Sequence, residues 1–221
     1  MLDIFIGYDE REALAYHVCC DSIIKNASCP VRFHPLSLGM FPEYVEDHED
    51  GSNSFIYTRF LVPWLMGYKG QALFIDGDMV LRGDLLDIFE DDYEHAVSVV
   101  KHNYKTKYPV KYLGNKNEDY PRKNWSSVML FNCGHPYNKV LTPDFIRSKS
   151  GAYLHRFSWL PDELIGELGS MWNCLVLERE VKDEDVLLHY TIGTPCFEEY
   201  KDCQDSQYWH EAKKGALRPY E

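Results

Sequence analysis

The run Ala72-Leu73-Phe74-Ile75-Asp76-Gly77-Asp78-Met79-Val80-Leu81 decides how the rest of the chain is read. Four apolar residues end in two carboxylates spaced two apart, and an apolar run resumes at once. On extended backbone, residues two apart project to the same face, so Asp76 and Asp78 converge. Two carboxylates at the end of a buried strand are costly unless a cation sits between them. A divalent metal is the commonest compensation, because a hard cation such as Mg²⁺ takes oxygen ligands and keeps positions open for phosphate. Gly77 lets backbone or ligand come close.

Working outward, Leu2 to Ile6 reads as a strand that runs into the loop Gly7-Tyr8-Asp9. Asp9 with Glu12 three residues later resembles a capping arrangement. Leu14, Ala15, Val18, Cys19 and Ile23 then form one helical stripe. Pro30 to Leu36 reads as a second strand, so the chain opens β-α-β, which favours a mostly parallel sheet with a right-handed crossover. Phe55 to Met66 reads as a buried helix that Pro63 kinks or ends. Asp84 caps a short helix through Phe89. Ala96 to Val100 and Ser127 to Phe131 read as strands, Asp162 to Leu168 as a helix, and Val186 to Tyr190 as a final strand. The acidic stretch 43–54 reads as a loop and Lys101 to Asn124 as a long surface excursion, whose Lys101, Lys105, Lys107 and Lys111 read as a solvated face, with an acceptor or phosphate contact as the alternative. The segment 198–214 reads as a helix packed on the body. No repeat or linker divides the chain, so one domain is expected, with a nucleotide-binding half over 1–100 and a sugar and acceptor half over 101–221.

Composition narrows the function. The chain has 221 residues, 45% of them hydrophobic, which suits a globular core. A formal net charge of −12 argues against a nucleic-acid partner bound through a basic surface. The seven cysteines form no C-x-x-C pair, which argues against a structural zinc site. No stretch is long and apolar enough for an integral membrane segment, and the N-terminus lacks a signal peptide's pattern. A cytoplasmic setting is expected.

In open α/β sheets ligands gather beyond the carboxyl ends of the strands. Gly7-Tyr8-Asp9, Asp76-Gly77-Asp78, Asn132-Cys133-Gly134 and His189 all read as strand-end segments there. These segments, in this order, resemble a GT-A glycosyltransferase, and particularly the family 8-like enzymes that use nucleotide sugars. Ile4 to Asp9 is similar to the family's opening strand and nucleotide-contacting loop. Tyr57-Thr58-Arg59-Phe60 is similar to its helix before the acidic motif, and Leu73 to Asp78 to its DxD motif. Phe131-Asn132-Cys133-Gly134 resembles its N-x-G segment at the donor sugar. His189-Tyr190-Thr191-Ile192-Gly193 resembles its late H-x-x-G segment. The compact size also resembles transferase domains of chlorella-virus proteins, which would place the chain in a host cytoplasm.

The resemblance implies a Rossmann-like GT-A fold with a mostly parallel central sheet flanked by helices. It implies Mn²⁺ or Mg²⁺ held by Asp76, Asp78 and His189. It also implies a nucleotide-sugar donor, in the first instance a UDP-sugar, bound by Gly7, Tyr8, Asp9, Arg59, Asp76, Gly77, Asp78, Asn132, Gly134 and Gly193, with a glycan or other hydroxyl acceptor. The family's Asp-Gln pair stands here as Asp162-Glu163, the candidate catalytic residues. Two carboxylates there leave retaining and inverting transfer both open, since inversion needs a base at the acceptor hydroxyl. Two other readings stand beside transfer. A sugar-phosphate nucleotidyltransferase would normally carry a Gly-rich basic loop after the first strand, where this chain has Gly7-Tyr8-Asp9-Glu10-Arg11. A non-catalytic nucleotide- or glycan-binding module has no need of an intact Asp76, Asp78 and His189.

Overall fold

A computed structural model describes residues 1–46, 48, 53–89 and 94–217. The chain opens with β1 (Leu2–Gly7), α1 (Ala13–Asn26) and β2 (Val31–Leu36). After α2 (Val62–Leu65) come β3 (Gln71–Ile75), β4 (Met79–Leu81), α3 (Leu86–Phe89) and β5 (Val97–Val99). The second half supplies β6 (Val128–Asn132), α4 (Pro143–Arg147), α5 (Gly151–His155), β7 (Ile165–Glu167), β8 (Cys174–Leu175), β9 (Leu187–His189) and α6 (Ser206–Ala216).

Six strands form the central sheet in the order β2-β1-β3-β6-β5-β7, and β4-β9-β8 form a small second sheet. The expected β-α-β opening is present, with β1 parallel to both β2 and β3. β5 and β7 are also parallel, while β6 runs antiparallel to β3 and β5. Because β5 and β7 come from different halves of the chain, the halves share one sheet.

Alternation places this sheet between two apolar layers. On β1 and β3, Phe5, Ala72 and Phe74 enter one cluster, while Ile4, Ile6, Leu73 and Ile75 enter the other. β3 is apolar on both faces for that reason, and burying each of its large side chains stabilises the fold by about 1.5–3 kcal/mol. Its apolar run must end where the cover ends, at Asp76.

Local expectations fail where long-range pairing or a special residue overrides periodicity. The 55–66 stretch forms turns, a 3-10 segment at Thr58–Leu61 and the four-residue α2. Pro63 lacks an amide donor, and Gly67 and Tyr68 take positive φ and stop the helix. The helix expected over 162–168 is a single 3-10 turn, Asp162–Leu164, followed by β7, because β5 offers residues 165–167 a parallel ladder. Asp185, close after the charged run Glu178-Arg179-Glu180, is buried, its carboxylate Oδ2 held by Arg179 Nη1 at 2.7 Å. Part of the acidic 43–54 loop lies outside the described residues. All seven cysteines are free thiols. Among the described residues no helix is long and apolar enough to cross a membrane.

Candidate metal and donor cleft

Asp76 and Asp78 line a cavity of about 580 Å³ beyond the carboxyl end of β3, together with His189, Arg59, Glu12 and Lys111. Register brings the acidic pair and the histidine together. β4 and β9 pair antiparallel with Met79 opposite His189, and the Tyr190 amide donates to the Asp78 carbonyl at 3.1 Å. One ligand-capable atom from each of Asp76, Asp78 and His189 lies within 4.8 Å of the others. His189 Nε2 stands 3.3 Å from Asp78 Oδ1 and 3.7 Å from Asp76 Oδ2.

The second layer fixes how that histidine presents itself. The Asn173 amide nitrogen donates to Ser127 Oγ at 2.8 Å, so its oxygen is the group facing His189 Nδ1 at 3.0 Å. An amide oxygen can only accept, so Nδ1 carries a proton and Nε2 is the ring nitrogen turned toward the carboxylates. A ring nitrogen backed in this way is how a metal-ligating histidine is held. Asp78 Oδ1 is buried with no hydrogen-bond partner, and two oxygens plus an imidazole nitrogen suit Mn²⁺ or Mg²⁺. The residues present fit such an ion.

Electrostatics treats the two aspartates differently. Burial pushes Asp76 up to about 6, against the pull of the Arg59 charge. Burial also pushes Asp78 up, but nearby His189 and the Lys111 charge outweigh it and hold Asp78 below its ordinary value. Glu12, expected only as part of a cap, reaches into the cavity instead, while Asp9 alone caps the 3-10 turn Glu10–Glu12. Burial, then the Asp78 charge, pushes Glu12 up to about 8, so it is a neutral acid at pH 7.

The other expected residues divide by position. Arg59 lines the cavity, with Nη1 2.9 Å from Asp76 Oδ1 and donating to the Ser126 carbonyl at 2.9 Å, and with its guanidinium over the Phe55 and Phe74 rings. It therefore orients Asp76 from within the cleft. Gly7 and Gly77 are close-approach glycines. A Cβ on Gly77 would collide with the Gly7 carbonyl, and one on Gly7 with the Phe55 ring. Tyr8 and Asp9 follow Gly7 beside that contact, where Asp9 is buried and accepts from Arg11 and the Ser54 amide. Gly193 stands four residues after His189, and a Cβ there would strike the Tyr200 ring, which gives that glycine a packing reason.

Two expectations need correction. Asn132 pairs with Gln71 at the start of β3, whereas Val128 pairs with Ile75 beside Asp76. Asn132 and Gly134 thus sit at the end of the sheet away from the acidic pair, and the residues just before β6, Asn124, Ser126 and Ser127, line the cavity in their place. Asp162 and Glu163 are exposed and outside the cavity lining, and Asp162 Oδ1 accepts from Arg122 Nη2 at 2.6 Å.

The 101–124 excursion, expected on the surface, forms a wall of the cleft. Thr106 Oγ1 and the Lys107 amide donate to buried Glu178 at 2.5 and 2.9 Å. The ammonium of buried Lys123 donates to Asn117 Oδ1 and the Glu118 carbonyl at 2.6 and 2.8 Å. Tyr112 donates its amide to the Ile192 carbonyl at 2.8 Å, stacks on Phe197 and hydrogen-bonds Glu12. The only signal of this wall in the sequence was its wealth of Tyr, Lys and Asn with few aliphatic residues.

No protein-family model matches the chain. Among solved structures the fold is similar to the glycosyltransferase GlyE of Streptococcus pneumoniae TIGR4, with a TM-score of 0.64 and 12% identity over 99% of this chain and 62% of that one. It is similar to the galactosyltransferase LgtC, solved with donor and acceptor sugar analogues, with a TM-score of 0.63 and 14% identity over 100% and 98% of the two chains. A glycosyltransferase involved in glycosylation of the major capsid of PBCV-1 matches at a TM-score of 0.52 and 10% identity, over 98% and 99%. These likenesses establish a GT-A-type glycosyltransferase fold. The Protein CDI of Arabidopsis thaliana is 41% identical over 220 residues, covering 93% of this chain and 83% of that protein. The chain belongs to the family of that plant protein.

Proposed function

We propose that this protein is a metal-dependent glycosyltransferase that moves a sugar from a nucleotide-diphosphate donor, a UDP-sugar in the first instance, to a hydroxyl of a glycan or other acceptor. The observation that carries this reading is the Asp76, Asp78 and His189 group at the mouth of the sheet, in a fold shared with solved glycosyltransferases. Mn²⁺ or Mg²⁺ held by those three residues would supply Lewis-acid neutralisation of the charge on the departing diphosphate.

The surrounding residues hold that site in shape. Arg59 fixes one oxygen of Asp76, and Asn173 fixes the tautomer of His189. The buried Gly7–Gly77 contact brings the backbone of the acidic turn against the end of β1, which supports the reading of Gly7, Tyr8 and Asp9 as the nucleotide-side loop. Glu12 lines the cleft and meets Tyr112 through its carboxyl, which ties the two sides of the site together. Residues 111–124 of the strap form one wall of the cleft and narrow it around the acidic pair. Asp162 and Glu163 take no step in this scheme, because neither lines the cavity.

A panel of UDP-sugars incubated with the protein and Mn²⁺ tests the reading. Turnover of at least one donor is expected, dependent on metal and abolished by Asp78→Asn. NMR of the first-formed anomer then decides between retention and inversion. Donor binding that is indifferent to metal, or no turnover of any nucleotide sugar, would count against it.

A further inference from the structure

Five cationic side chains line the cleft: Arg59, Lys111, Lys116, Lys123 and Arg156. Three have protein partners. Arg59 is bound to Asp76 and the Ser126 carbonyl, Lys116 pairs with Glu118, and Lys123 is tied to Asn117 and Glu118. Lys111 is different. Among the described residues its ammonium makes no hydrogen bond and no ion pair within 4.0 Å, yet it lies in the field of both Asp76 and Asp78 and contributes to the charge felt by each. Arg156 has no such link to the acidic pair.

The backbone around Lys111 is built to hold it there. Val110 and Lys116 form an antiparallel bridge, the Lys111 amide donates to the Asn115 carbonyl at 2.8 Å, and the next residue, Tyr112, is pinned to Ile192. The strap therefore presents one uncommitted ammonium at the metal group. Burial pulls the Lys111 pKa down, while Asp78 and Asp76 oppose that pull.

We propose that Lys111 is the phosphate-binding cation of the cleft: it balances the Asp76–Asp78 pair when the cleft is empty and turns to the diphosphate when metal and donor enter. This rests on the glycosyltransferase reading and deepens it by naming the residue that meets the donor's leaving group. The charges agree with it. Two carboxylates are offset by Arg59 and Lys111 in the free protein. A divalent ion then arrives with a nucleotide sugar whose diphosphate bears two negative charges, and neutrality is kept. The acceptor hydroxyl oxygen bonds the anomeric carbon and gives up its proton to solvent. As it does so, the bond from that carbon to the phosphate oxygen breaks with its electron pair kept on that oxygen, and the leaving diphosphate gains one negative charge beside Lys111. An ammonium on a flexible stem suits this exchange of partners better than the clamped guanidinium of Arg59.

The assignment requires opposite effects on two ligands. Calorimetric titrations of Mn²⁺ alone, and of UDP in saturating Mn²⁺, are compared for the wild-type protein, Lys111→Met and Lys111→Arg. Lys111→Met should bind Mn²⁺ alone as tightly as wild type or severalfold tighter, because a competing cation has gone. The same variant should bind UDP about 10- to 100-fold more weakly, the loss of one charge-assisted contact. Lys111→Arg should recover UDP binding to within roughly fivefold, since a charge at that place is what matters. Unchanged UDP affinity in Lys111→Met, or parallel loss of Mn²⁺ and UDP, would overturn the assignment. Lys111→Gln repeats the comparison should the Met variant melt early. A wild-type protein that binds no UDP in Mn²⁺ would instead overturn the glycosyltransferase reading itself.

Discussion

Asp76 and Asp78 hang from strands whose side chains are sealed in two apolar clusters, while Lys111 and Tyr112, across the same cleft, hang from a strap with few aliphatic side chains. The acidic turn is fixed by backbone ladders and burial: β1 and β6 flank β3, and β9 flanks β4. The strap is fixed by Glu178, Asn117 and Lys123, three polar side chains buried against it. Apolar packing spreads its energy over many contacts, so no single contact decides it. A polar staple concentrates it, and removing one partner leaves others unsatisfied. One wall of the site is thus set by apolar packing and strand ladders, and the facing wall by a few buried polar bonds.

The largest expected effect breaks chemistry on the rigid wall and leaves that wall standing. Asp78→Asn should lower metal-dependent UDP affinity by about 100-fold or more, the loss of a first ligand exceeding the ~10–100-fold of a second-layer one. Its melting temperature without metal should change little, because relief of the repulsion from Asp76 offsets the loss of the contact that holds Asp78 ionised beside His189. A parallel drop in stability would show that the carboxylate holds the turn together.

Glu12, where the two walls meet through its hydrogen bond to Tyr112, gives a pH signature. Its pKa rises from 4.5 to about 8 on folding, so its contribution to stability is fully present below pH 4.5 and is lost as pH rises through 8. Glu12→Gln escapes that loss. Its stability advantage over wild type should grow between pH 4.5 and 8 and then level off, with a ceiling of about 3 kcal/mol at pH 7. Denaturant titrations in metal-free buffer across that range measure it, and a gap that narrows with rising pH would contradict the assignment.

A smaller and more local effect is expected on the strap. Glu178→Gln weakens two bonds to a charged acceptor, each worth about 1.5–3 kcal/mol. Amide exchange should quicken roughly tenfold or more through residues 106–117, with β1, β3 and β6 unchanged. Exchange that quickens everywhere would mean that strap and sheet are one cooperative unit. The smallest effect is expected at Asp162, whose side chain is 80% exposed in its pair with Arg122. Asp162→Asn should shift stability by less than about 1 kcal/mol and leave UDP affinity alone. A large loss of affinity would place Asp162 inside the cleft when donor is bound.

The rigid wall was legible in the sequence and the strap was not, for the same physical reason. Apolar runs on either side of Asp76 and Asp78 require a buried strand end, and that requirement is local. His189 could be placed only through the order of segments shared with a known family, since its meeting with Asp78 depends on β9 pairing antiparallel to β4. Strand direction is equally hidden. A strand at 127–131 was expected, but because β6 runs antiparallel to β3 its beginning faces the cleft, and Asn132 and Gly134 fall at the far end. The helix expected at 162–168 gave way to β7 because a ladder with β5, about 65 residues earlier in the chain, outweighed local propensity. Lys111 looked like one of several solvated lysines, because buried polar staples leave no periodicity to read.

The central claim is that Asp76, Asp78 and His189 hold one divalent ion that a nucleoside diphosphate then shares. Electron paramagnetic resonance of Mn²⁺ titrated into the protein tests it most directly. The expected result is one bound ion per chain, its spectrum changed by UDP, and its binding lost in both Asp78→Asn and His189→Ala. Mn²⁺ bound equally well by both variants, with a spectrum indifferent to UDP, would contradict it.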